Sequence, residues 1–419
     1  MSAYKDSGIK WLGKIPAHWE VKPLKFIFDN INEINKNLEI KQILSLVKDV
    51  GVILYEDKGD IGNKSKDDLS SYKIARKNDL VLNKMNAVIG SLGVSNYDGL
   101  VSPIYLVLRV KNQQCLIRYY SYLFQSKALQ KSLRQFAYGI MEIRESIDYL
   151  EFKNMYLPLP PLEEQKKIAD FLDEKCKKID DFVTKQTKFI ELLKEQKQVL
   201  INQATTKGLN KSTELKDTHI PHLGKIPTHW EAIKLRYVVT ANPSTGELPN
   251  NFYYIDLESV IEGKLIYEKF INKDNAPSRA QRVLNKGDIL FQLVRPYQKN
   301  NFLFELNGDY VASTGYAQLR TKENNKFIYY VLGSDYLIDE INKISKGANY
   351  PAINTFDLLE LEIALPPLEE QEKIAKYLDD KCEKIDKAIN NITKQISLIQ
   401  EYKTSLIDTT TKGILKELK

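Results

Sequence analysis

Few residues in this 419-residue chain have the types and spacing that catalysis needs. Residues 8–14, GIKWLGK, approach the pattern of a phosphate-binding loop, but Ile15 follows where a serine or threonine would hold magnesium. No strand is predicted before this segment, and its counterpart at 219–226, HIPHLGKI, lacks the first glycine. The chain also lacks an Asn-Pro-Pro-Tyr tetrapeptide, a Gly-X-Gly-X-X-Gly motif and a clear set of nuclease carboxylates. We therefore predict no nucleotide site and no catalytic residue.

The histidines and cysteines do not form the pattern of a metal site either. No cysteine or acidic cluster completes a zinc ligand set around the four histidines, which are His18, His219, His222 and His229. His18 and His229 occupy equivalent places in a repeated His-Trp-Glu tripeptide, where we expect structural hydrogen bonds. The sparse cysteines form no Cys-X-X-Cys pair and are expected to be free thiols in a reducing compartment; they are Cys115, Cys176 and Cys382.

Length and composition indicate a folded protein of several domains. At roughly 100–200 residues per domain, the chain should hold two to four units, and 43% hydrophobic and 28% charged residues leave little room for long disordered tails. Because there is no apolar run of membrane-spanning length and no apolar stretch typical of a signal peptide, we expect a cytoplasmic protein. Residues 1–158 carry the whole net charge of +6. This excess fits either an uneven surface charge or a patch that faces nucleic acid.

An internal repeat is the main signal in the sequence. Residues 159–180, LPPLEEQKKIADFLDEKCKKID, return at 365–386 with 17 of 22 positions identical. LGKIPAHWE at 12–20 returns as LGKIPTHWE, and TTKGL at 205–209 returns as TTKGI. Weaker similarity links KNDLVLNKM with KGDILFQLVRP and GLVSPIYLVLRV with YVASTGYAQLRT. The order is a domain, a helix, a second domain and a second helix, and the two domains should share a fold.

The repeated block predicts a long amphipathic helix in each half. Pro-Pro followed by Leu-Glu-Glu-Gln places carboxylates in the first turn, and Gly208 and Gly413 are suited to end the helices. Apolar residues recur with the heptad spacing of a coiled coil. The predicted seam consists of Leu172, Cys176, Ile179, Val183, Ile190, Leu193 and Leu200 in the first helix, and Leu378, Cys382, Ile385, Ile389, Ile392, Ile396, Ile399 and Leu406 in the second.

A single helix of this length would expose its apolar stripe, so the two copies should pack together. Because a whole domain separates them, we predict an antiparallel pair related by a pseudo-two-fold axis. The alternative is two separate helices, each docked on its own domain. Lys197 and Lys403 interrupt the seam and are expected to extend to solvent rather than bind anything.

The predicted fold class is mixed α+β, with two globular domains joined by two long antiparallel coiled-coil helices. DLVLNKM, YLVLRV, DILFQLV and FYYIDL are predicted strands, and 117–136 and 326–345 are predicted helical. The predicted boundaries are 1–158 for the first domain, 159–206 for the first helix, 207–364 for the second domain and 365–419 for the second helix with the C-terminus.

The chain contains, twice in succession, the segment GKIPxHWE, a variable domain and the block LPPLEEQxKIAxxLDxKCxKID. This order resembles that of the specificity subunit of type I restriction-modification systems, and the resemblance covers essentially the whole chain. The resemblance implies two target recognition domains, at about 12–158 and 223–364, that each read half of an asymmetric bipartite site on double-stranded DNA. It implies that 159–206 and 365–414 are spacer helices that set the gap and dock methyltransferase subunits, two in number, with restriction and translocase subunits joining the complex.

The resemblance also implies that S-adenosylmethionine, ATP and Mg²⁺ are bound by the partner subunits, and that this chain binds no cofactor or metal. The family's circular organisation implies that the N-terminal GKIPxHWE segment lies near the end of the second helix. Trp19 would then lie near TTKGI, just as Trp230 follows TTKGL in sequence.

Recognition loops vary within such a family, so the DNA-contacting residues are predicted from type and place alone. Arginine favours guanine, asparagine and glutamine favour adenine, and lysine more often contacts phosphate. The polar candidates in loops are Arg76, Lys77, Asn83, Lys84, Asn86, Arg134, Tyr138 and Arg144 in the first domain, and Arg279, Arg282, Gln292, Arg295, Tyr297, Gln298, Lys299, Asn349 and Tyr350 in the second.

Two other functions are weighed against this one. A coiled-coil adaptor with two protein-binding end domains would share the same helices but would not select DNA sequences. A self-sufficient methyltransferase-nuclease would bind S-adenosylmethionine by itself, and the missing motifs argue against it.

Overall fold

The computed structural model describes residues 3–59, 68–138, 146–244 and 246–414. Among the predicted site residues, Arg144 lies outside this description, and only the backbone of Tyr138 is described. The chain folds into two compact units. Unit 1 comprises residues 1–186 and 393–419, and unit 2 comprises residues 187–392. Each unit therefore contains a part of both long helices.

The two long helices form where the repeat predicts them. The first spans Leu162–Lys207 and the second spans Leu368–Thr411. Both begin directly after Pro-Pro with two glutamates in the first turn, where a negative charge stabilises the helix dipole. Gly208 and Gly413 follow the helix ends with φ values of +71° and +70°, as expected for glycine at a helix C-terminus.

In unit 1 the start of the first long helix packs antiparallel to the end of the second. Leu172 and Cys176 share one buried core with Leu406 and Ile407. Further along the first helix and further back along the second, Lys403 Nζ donates to both carboxylate oxygens of Asp180, at 2.6 and 2.8 Å. The residue numbers thus run in opposite directions along the contact.

Unit 2 repeats this packing with the helices exchanged. Its core joins Ile201 and Ala204 of the first helix to Leu378 and Cys382 of the second. Lys197 Nζ lies 2.8 Å from Asp386 Oδ1 in an ion pair equivalent to that of unit 1. The antiparallel coiled-coil fold is thereby confirmed, and the helices are not docked separately on their own domains.

The predicted coiled-coil seam is buried or half-buried throughout, while the residues beyond it are mostly exposed. One prediction about the seam is wrong. Lys197 and Lys403 do not merely extend to solvent, because each donates to an aspartate of the opposite helix. A lysine side chain at the edge of an apolar seam retains its charge at less cost when a carboxylate is within reach.

Each unit contains a four-stranded antiparallel sheet with the same strand order. In unit 1 the order is Phe28–Ile31, Tyr105–Val110, Leu80–Asn83 and Leu92–Val94. In unit 2 it is Val239–Ala241, Tyr316–Thr321, Ile289–Gln292 and Phe302–Leu303. The two domains therefore share the frame that the weak internal similarity predicts.

An aspartate-arginine pair occupies the same place beside both sheets. Arg109 donates from Nε and Nη2 to the buried Asp79, both at 2.7 Å. Arg320 binds the buried Asp288 in the same way, at 2.7 and 2.9 Å. Bidentate pairing satisfies a carboxylate that burial would otherwise destabilise.

The layer on the other face of the shared sheet differs between the units. Unit 1 has short two-stranded pairs there, such as Leu44–Val47 with Gly51–Leu54. Unit 2 has a second four-stranded sheet in the order Lys269–Asn272, Asn251–Ile255, Tyr310–Ser313 and Ala280–Val283. Its two central strands are parallel.

The remaining elements are short. The other strands of unit 1 are Tyr4–Asp6, Lys14–Pro16, Glu20–Pro23, Lys73–Ala75, Gly99–Val101, Ala137–Tyr138, Ser146–Ile147 and Tyr156–Leu159. Its other helices are Leu24–Ile27, Tyr55–Lys58, Ala87–Ile89, Ile117–Gln125, Lys127–Ser132, Leu133–Phe136 and Tyr149–Phe152. The other strands of unit 2 are Leu215–Asp217, Lys225–Pro227, Glu231–Lys234, Val260–Ile261, Lys264–Leu265 and Glu362–Leu365. Its other helices are Leu235–Tyr237, Lys273–Asn275, Pro296–Gln298, Asn325–Leu332, Asp335–Ile344 and Thr355–Glu360. Within the described ranges, no helix is long and apolar enough to cross a membrane.

Candidate nucleic-acid interface

The N-terminal segment of unit 1 closes on the end of the second long helix. Tyr4 donates its hydroxyl to the carbonyl of Gly413 at 2.9 Å, and the Trp19 ring lies against the same glycine. Trp19 Nε1 donates to Glu164 at 2.8 Å, and His18 Nε2 lies 2.6 Å from the other oxygen of that carboxylate. Trp19 therefore lies beside TTKGI, as the circular arrangement predicts.

Unit 2 contains the same junction. Trp230 Nε1 donates to Glu370 at 3.0 Å, His229 Nε2 lies 2.8 Å from the same carboxylate, and the Trp230 ring lies against Gly208. The histidines thus make the structural hydrogen bonds expected of them. Sequence reasoning placed Glu164 and Glu370 only in the first turn of a helix. Both the His-Trp-Glu motif and the Leu-Glu-Glu-Gln motif occur twice. This shared repetition was the signal that could have paired the glutamates with the histidines and tryptophans.

In unit 1 the structure brings Asn83, Lys84 and Asn86 next to a β-hairpin. These residues lie at the end of the strand Leu80–Asn83 and in the loop 84–91 that follows. The Lys84 carbonyl accepts from Ile147 N at 3.0 Å, which fixes this loop beside the paired strands Ala137–Tyr138 and Ser146–Ile147. We call the loop and these two strands the unit 1 loop site.

The other candidates of unit 1 lie elsewhere. Arg76 and Lys77 precede the strand that Asn83 ends, so they are at its opposite end. Both are exposed, and Arg76 Nη2 is paired with Glu33 Oε1 at 2.6 Å. Arg134 is exposed on the helix Leu133–Phe136, just before the hairpin.

Unit 2 has an equivalent site at the end of the equivalent strand, Ile289–Gln292. The loop 293–301 follows it, and the Leu293 carbonyl accepts from Ile353 N at 3.0 Å. Arg295 N donates to the Pro351 carbonyl at 2.7 Å. The loop and residues 346–353 beside it form the unit 2 loop site, which brings together the predicted residues Arg295, Tyr297, Gln298, Lys299, Asn349 and Tyr350.

Polar side chains hold the 293–301 loop in place. Gln292 is only 2% exposed; its Nε2 donates to Gln298 Oε1 at 2.9 Å, and its Oε1 accepts from Asn300 N at 3.3 Å. Lys299 Nζ donates to Asp335. Gln292 is thus not exposed as a DNA-contacting residue would be, because its amide is used within the protein.

Arg295 has an unusual backbone conformation and a stacked side chain. Its φ and ψ values are +56° and +55°, a left-handed conformation that costs a residue with a β-carbon of order 1–3 kcal/mol. Its guanidinium carbon lies 4.3 Å from the centre of the Tyr350 ring, a cation-π geometry. Tyr350 is 65% exposed, so the pair is at the surface.

Two further arginines of unit 2 lie along the second sheet. Arg279 is exposed, and its carbonyl accepts from Thr314 N at 2.8 Å, while Leu293 N donates to the Gly315 carbonyl at 2.9 Å. Arg279 and the start of the 293–301 loop therefore lie on either side of the turn at residues 314–315. Arg282 is half-buried, and burial lowers the pKa of its guanidinium below the ordinary value.

An exposed apolar stripe beside the coiled-coil seam was missed by sequence reasoning. Phe189, Leu192 and Val199 of the first long helix are each about half exposed. Leu398 and Tyr402 of the second helix are exposed at equivalent heptad positions. The signal was present in the sequence, because these residues fall on the heptad positions that border the seam.

At both loop sites the structure places basic and amide side chains. In the residues that it describes, no group of three histidine, cysteine, aspartate or glutamate side chains could hold a metal ion. Arginine, lysine and amide side chains on two similarly placed loops can instead make hydrogen bonds to base edges and ion pairs to phosphates.

Two archaeal proteins are similar to this chain over most of its length. The type I restriction enzyme MjaVIII specificity subunit of Methanocaldococcus jannaschii is 28% identical over 366 residues, which cover 82% of this chain and 80% of that protein. The putative type I restriction enzyme MjaX specificity subunit of the same organism is 27% identical over 440 residues, covering 99% of this chain and 98% of that protein.

Solved structures show the same fold. A chain from a study of complex assembly and conformational transition of the type I restriction-modification system aligns with a TM-score of 0.72 at 16% identity, covering 96% of this chain and 99% of that one. The HsdS subunit of Thermoanaerobacter tengcongensis aligns with a TM-score of 0.52 at 16% identity, covering 96% and 98%.

The family model described as the type I restriction modification DNA specificity domain matches residues 16–200 and 227–398. These two stretches make up most of the chain, and each contains one shared sheet, one loop site and a large part of one long helix. The chain therefore belongs to the family of type I restriction-modification specificity subunits.

Proposed function

We propose that this chain binds an asymmetric, two-part DNA site and contributes no catalytic residue itself. The observation that carries the proposal is the pair of loop sites. Each follows the same strand of the same sheet and is fixed by a backbone hydrogen bond at the same place, from Ile147 N in unit 1 and Ile353 N in unit 2. The frame is shared and the side chains differ, as expected if each loop reads a different half-site.

In this proposal residues 1–158 and 207–364 are the target recognition domains. Residues 159–206 and 365–419 hold the spacer helices and the C-terminus, and the gap between half-sites depends on these helices. Base-contacting residues lie in the loop sites, while Lys77, Arg134 and Arg279 are suited to phosphate because they are exposed outside the loop sites. Arg76 is exposed as well, but it must leave Glu33 before it can bind phosphate. In this proposal Gln292 holds the 293–301 loop through its hydrogen bonds to Gln298 and Asn300 and does not contact DNA.

The exposed apolar stripe is the proposed docking surface for methyltransferase subunits. Half-exposed Phe189, Leu192 and Val199 are costly to leave in water and lie next to a seam that already packs helix on helix. A partner helix can cover them with the same kind of packing. S-adenosylmethionine, ATP and Mg²⁺ belong to the methyltransferase and restriction subunits in this assignment.

A mobility-shift titration of the complex between this chain and its methyltransferase subunits tests the proposal. Duplexes carrying both half-sites, either half-site alone or a scrambled sequence are compared at several salt concentrations. We expect binding that needs both half-sites and weakens steeply with salt, because phosphate contacts release counterions. Equal binding to all duplexes would refute the proposal and favour the coiled-coil adaptor, and binding of S-adenosylmethionine by this chain alone would favour a self-sufficient enzyme.

A further inference from the structure

Among the described residues, some arginines are paired with carboxylates, and others have no such partner. Arg76, Arg109, Arg118, Arg236 and Arg320 are each paired with an aspartate or glutamate. Within the part of the chain that the structure describes, Arg279, Arg282 and Arg295 have no carboxylate partner, and all three belong to unit 2. An arginine that is kept free of carboxylates can bind an external acceptor.

Of these three arginines, Arg295 lies in a loop site. Its Nε is buried without a hydrogen-bond partner among the described residues, so the donors available to a ligand are those on its two Nη atoms. The Tyr350 ring, 4.3 Å from the guanidinium carbon, restricts the plane of the group. A planar pair of donors held in one orientation matches a ligand with two acceptors side by side.

The backbone under Arg295 is held from both sides. The Arg295 amide donates to the Pro351 carbonyl at 2.7 Å, and the Arg295 carbonyl accepts from the Gln298 amide at 3.0 Å. Further along the loop, Lys299 donates to Asp335, and Asp335 in turn accepts from Asn202 of the first long helix at 2.8 Å. The loop is therefore anchored to the helix within unit 2, which maintains the strained conformation of Arg295.

We infer that Arg295, stacked on Tyr350, reads a guanine in the half-site bound by unit 2. Guanine presents O6 and N7 side by side in the major groove, and arginine binds both at once. A phosphate can also accept two bonds, but an exposed side chain such as Arg279 serves that contact equally well and needs no aromatic platform. This inference rests on the proposed function.

The test selects bound sequences from a randomised duplex library with the methyltransferase complex of the wild-type chain and of single variants. For the wild type, we expect a bipartite site with a guanine at a fixed position of one half-site. Arg295→Lys and Tyr350→Ala should lower the preference for guanine at that position about 5- to 150-fold and leave the other half-site unchanged. Tyr350→Phe keeps the ring and should keep the preference.

Arg118→Lys is the matched control. Arg118 pairs with Asp173 in unit 1, and unit 2 already has a lysine, Lys326, paired with the equivalent Asp379, so the change should be tolerated without altering base preference. Because Tyr350 is exposed, its removal does not threaten folding.

Three results would overturn the inference. An unchanged sequence preference in Arg295→Lys and Tyr350→Ala would show that the pair does not read a base. A uniform loss of affinity for all sequences would assign Arg295 to phosphate. Both results leave the two-part DNA site intact, whereas a wild-type complex that selects no sequence would refute the proposed function together with the inference.

Discussion

The junctions between the helix ends and the tryptophans allow a graded prediction from four glycines. A β-carbon added at Gly413 would lie 2.7 Å from Pro16 Cγ and 2.8 Å from two ring carbons of Trp19. At Gly208, the equivalent residue of unit 2, it would lie 3.0 Å from Glu370 Oε1 and 3.2 Å from the Trp230 ring. Gly13 in unit 1 and Gly224 in unit 2 have the same left-handed backbone but nothing within 4 Å of the added carbon.

The expected costs follow from these distances. Alanine in a left-handed conformation costs about 1–2 kcal/mol, and its stiffer unfolded chain recovers about 0.4–1 kcal/mol, so Gly13→Ala and Gly224→Ala should each lose about 1 kcal/mol. Gly413→Ala adds overpacking against a fully buried ring, about 1–3 kcal/mol more. Gly208→Ala requires only small shifts of the Glu370 carboxylate and the Trp230 ring and should add less than about 1 kcal/mol.

Urea unfolding followed by tryptophan fluorescence measures these differences in the free energy of unfolding. Trp11 and Trp19 report on unit 1, and Trp230 reports on unit 2. Each junction variant is compared with the open glycine of its own unit, so the backbone strain cancels. If Gly413→Ala cost no more than Gly13→Ala, the close contact between the second helix and the N-terminal segment would not exist in solution, and the circular arrangement would lose its physical support.

Three further predictions concern the proposed function. Inserting seven residues between 180 and 197 of the first long helix alone lengthens it by about 10 Å, so the tolerated gap between half-sites should change or binding should be lost; an unchanged gap in a library selection would contradict the spacer role. Exchanging residues 20–158 for the domain of another family member should change one half-site only, as read by methylation mapping, and a change in both would contradict the modular assignment. Phe189→Ser should weaken co-purification with the methyltransferase subunits, while Tyr156→Ser, an equally exposed apolar residue outside the helices, should not; equal effects would remove the docking assignment.

Much of the helical framework could be predicted because the sequence signals that determine it are local and occur twice. Pro-Pro, two glutamates and a terminal glycine determine where a helix begins and ends, and heptad spacing determines which face is buried. The predicted strands and the helical stretches at 117–136 and 326–345 are also present. The first stretch is divided into three helices, with breaks at Ser126 and after Ser132, and the second into two helices at Gly333. The pairing of Lys197 with Asp386 was not predictable in this way, because it depends on the register between two distant segments.

The loop sites could be predicted only as a set of polar residues near strand ends. Gln292 shows why. Ile289 and Phe291 belong to one core and Leu290 to another, so this strand is buried on both faces and the last residue before the loop is buried as well. The unbroken apolar run at 289–291 was a signal for burial on both faces. How far that burial extends beyond the run depends on tertiary packing, and the polar residue at its end was therefore taken for a surface residue.

The two units differ in the layer that covers the second face of the shared sheet. In both units the first face packs toward the long helices, and an arginine paired with a buried aspartate links the two central strands in the same way. The cores on the second face contain no residue of the long helices among those that the structure describes. In unit 1 this face is covered by short strand pairs, and in unit 2 by a four-stranded sheet whose edge strand, Ala280–Val283, carries Arg282 and directly follows Arg279. A difference in this layer changes which side chains lie beside the loop without disturbing the helix contacts. Under the proposed function, two half-sites can therefore differ while the helices keep the spacing between them.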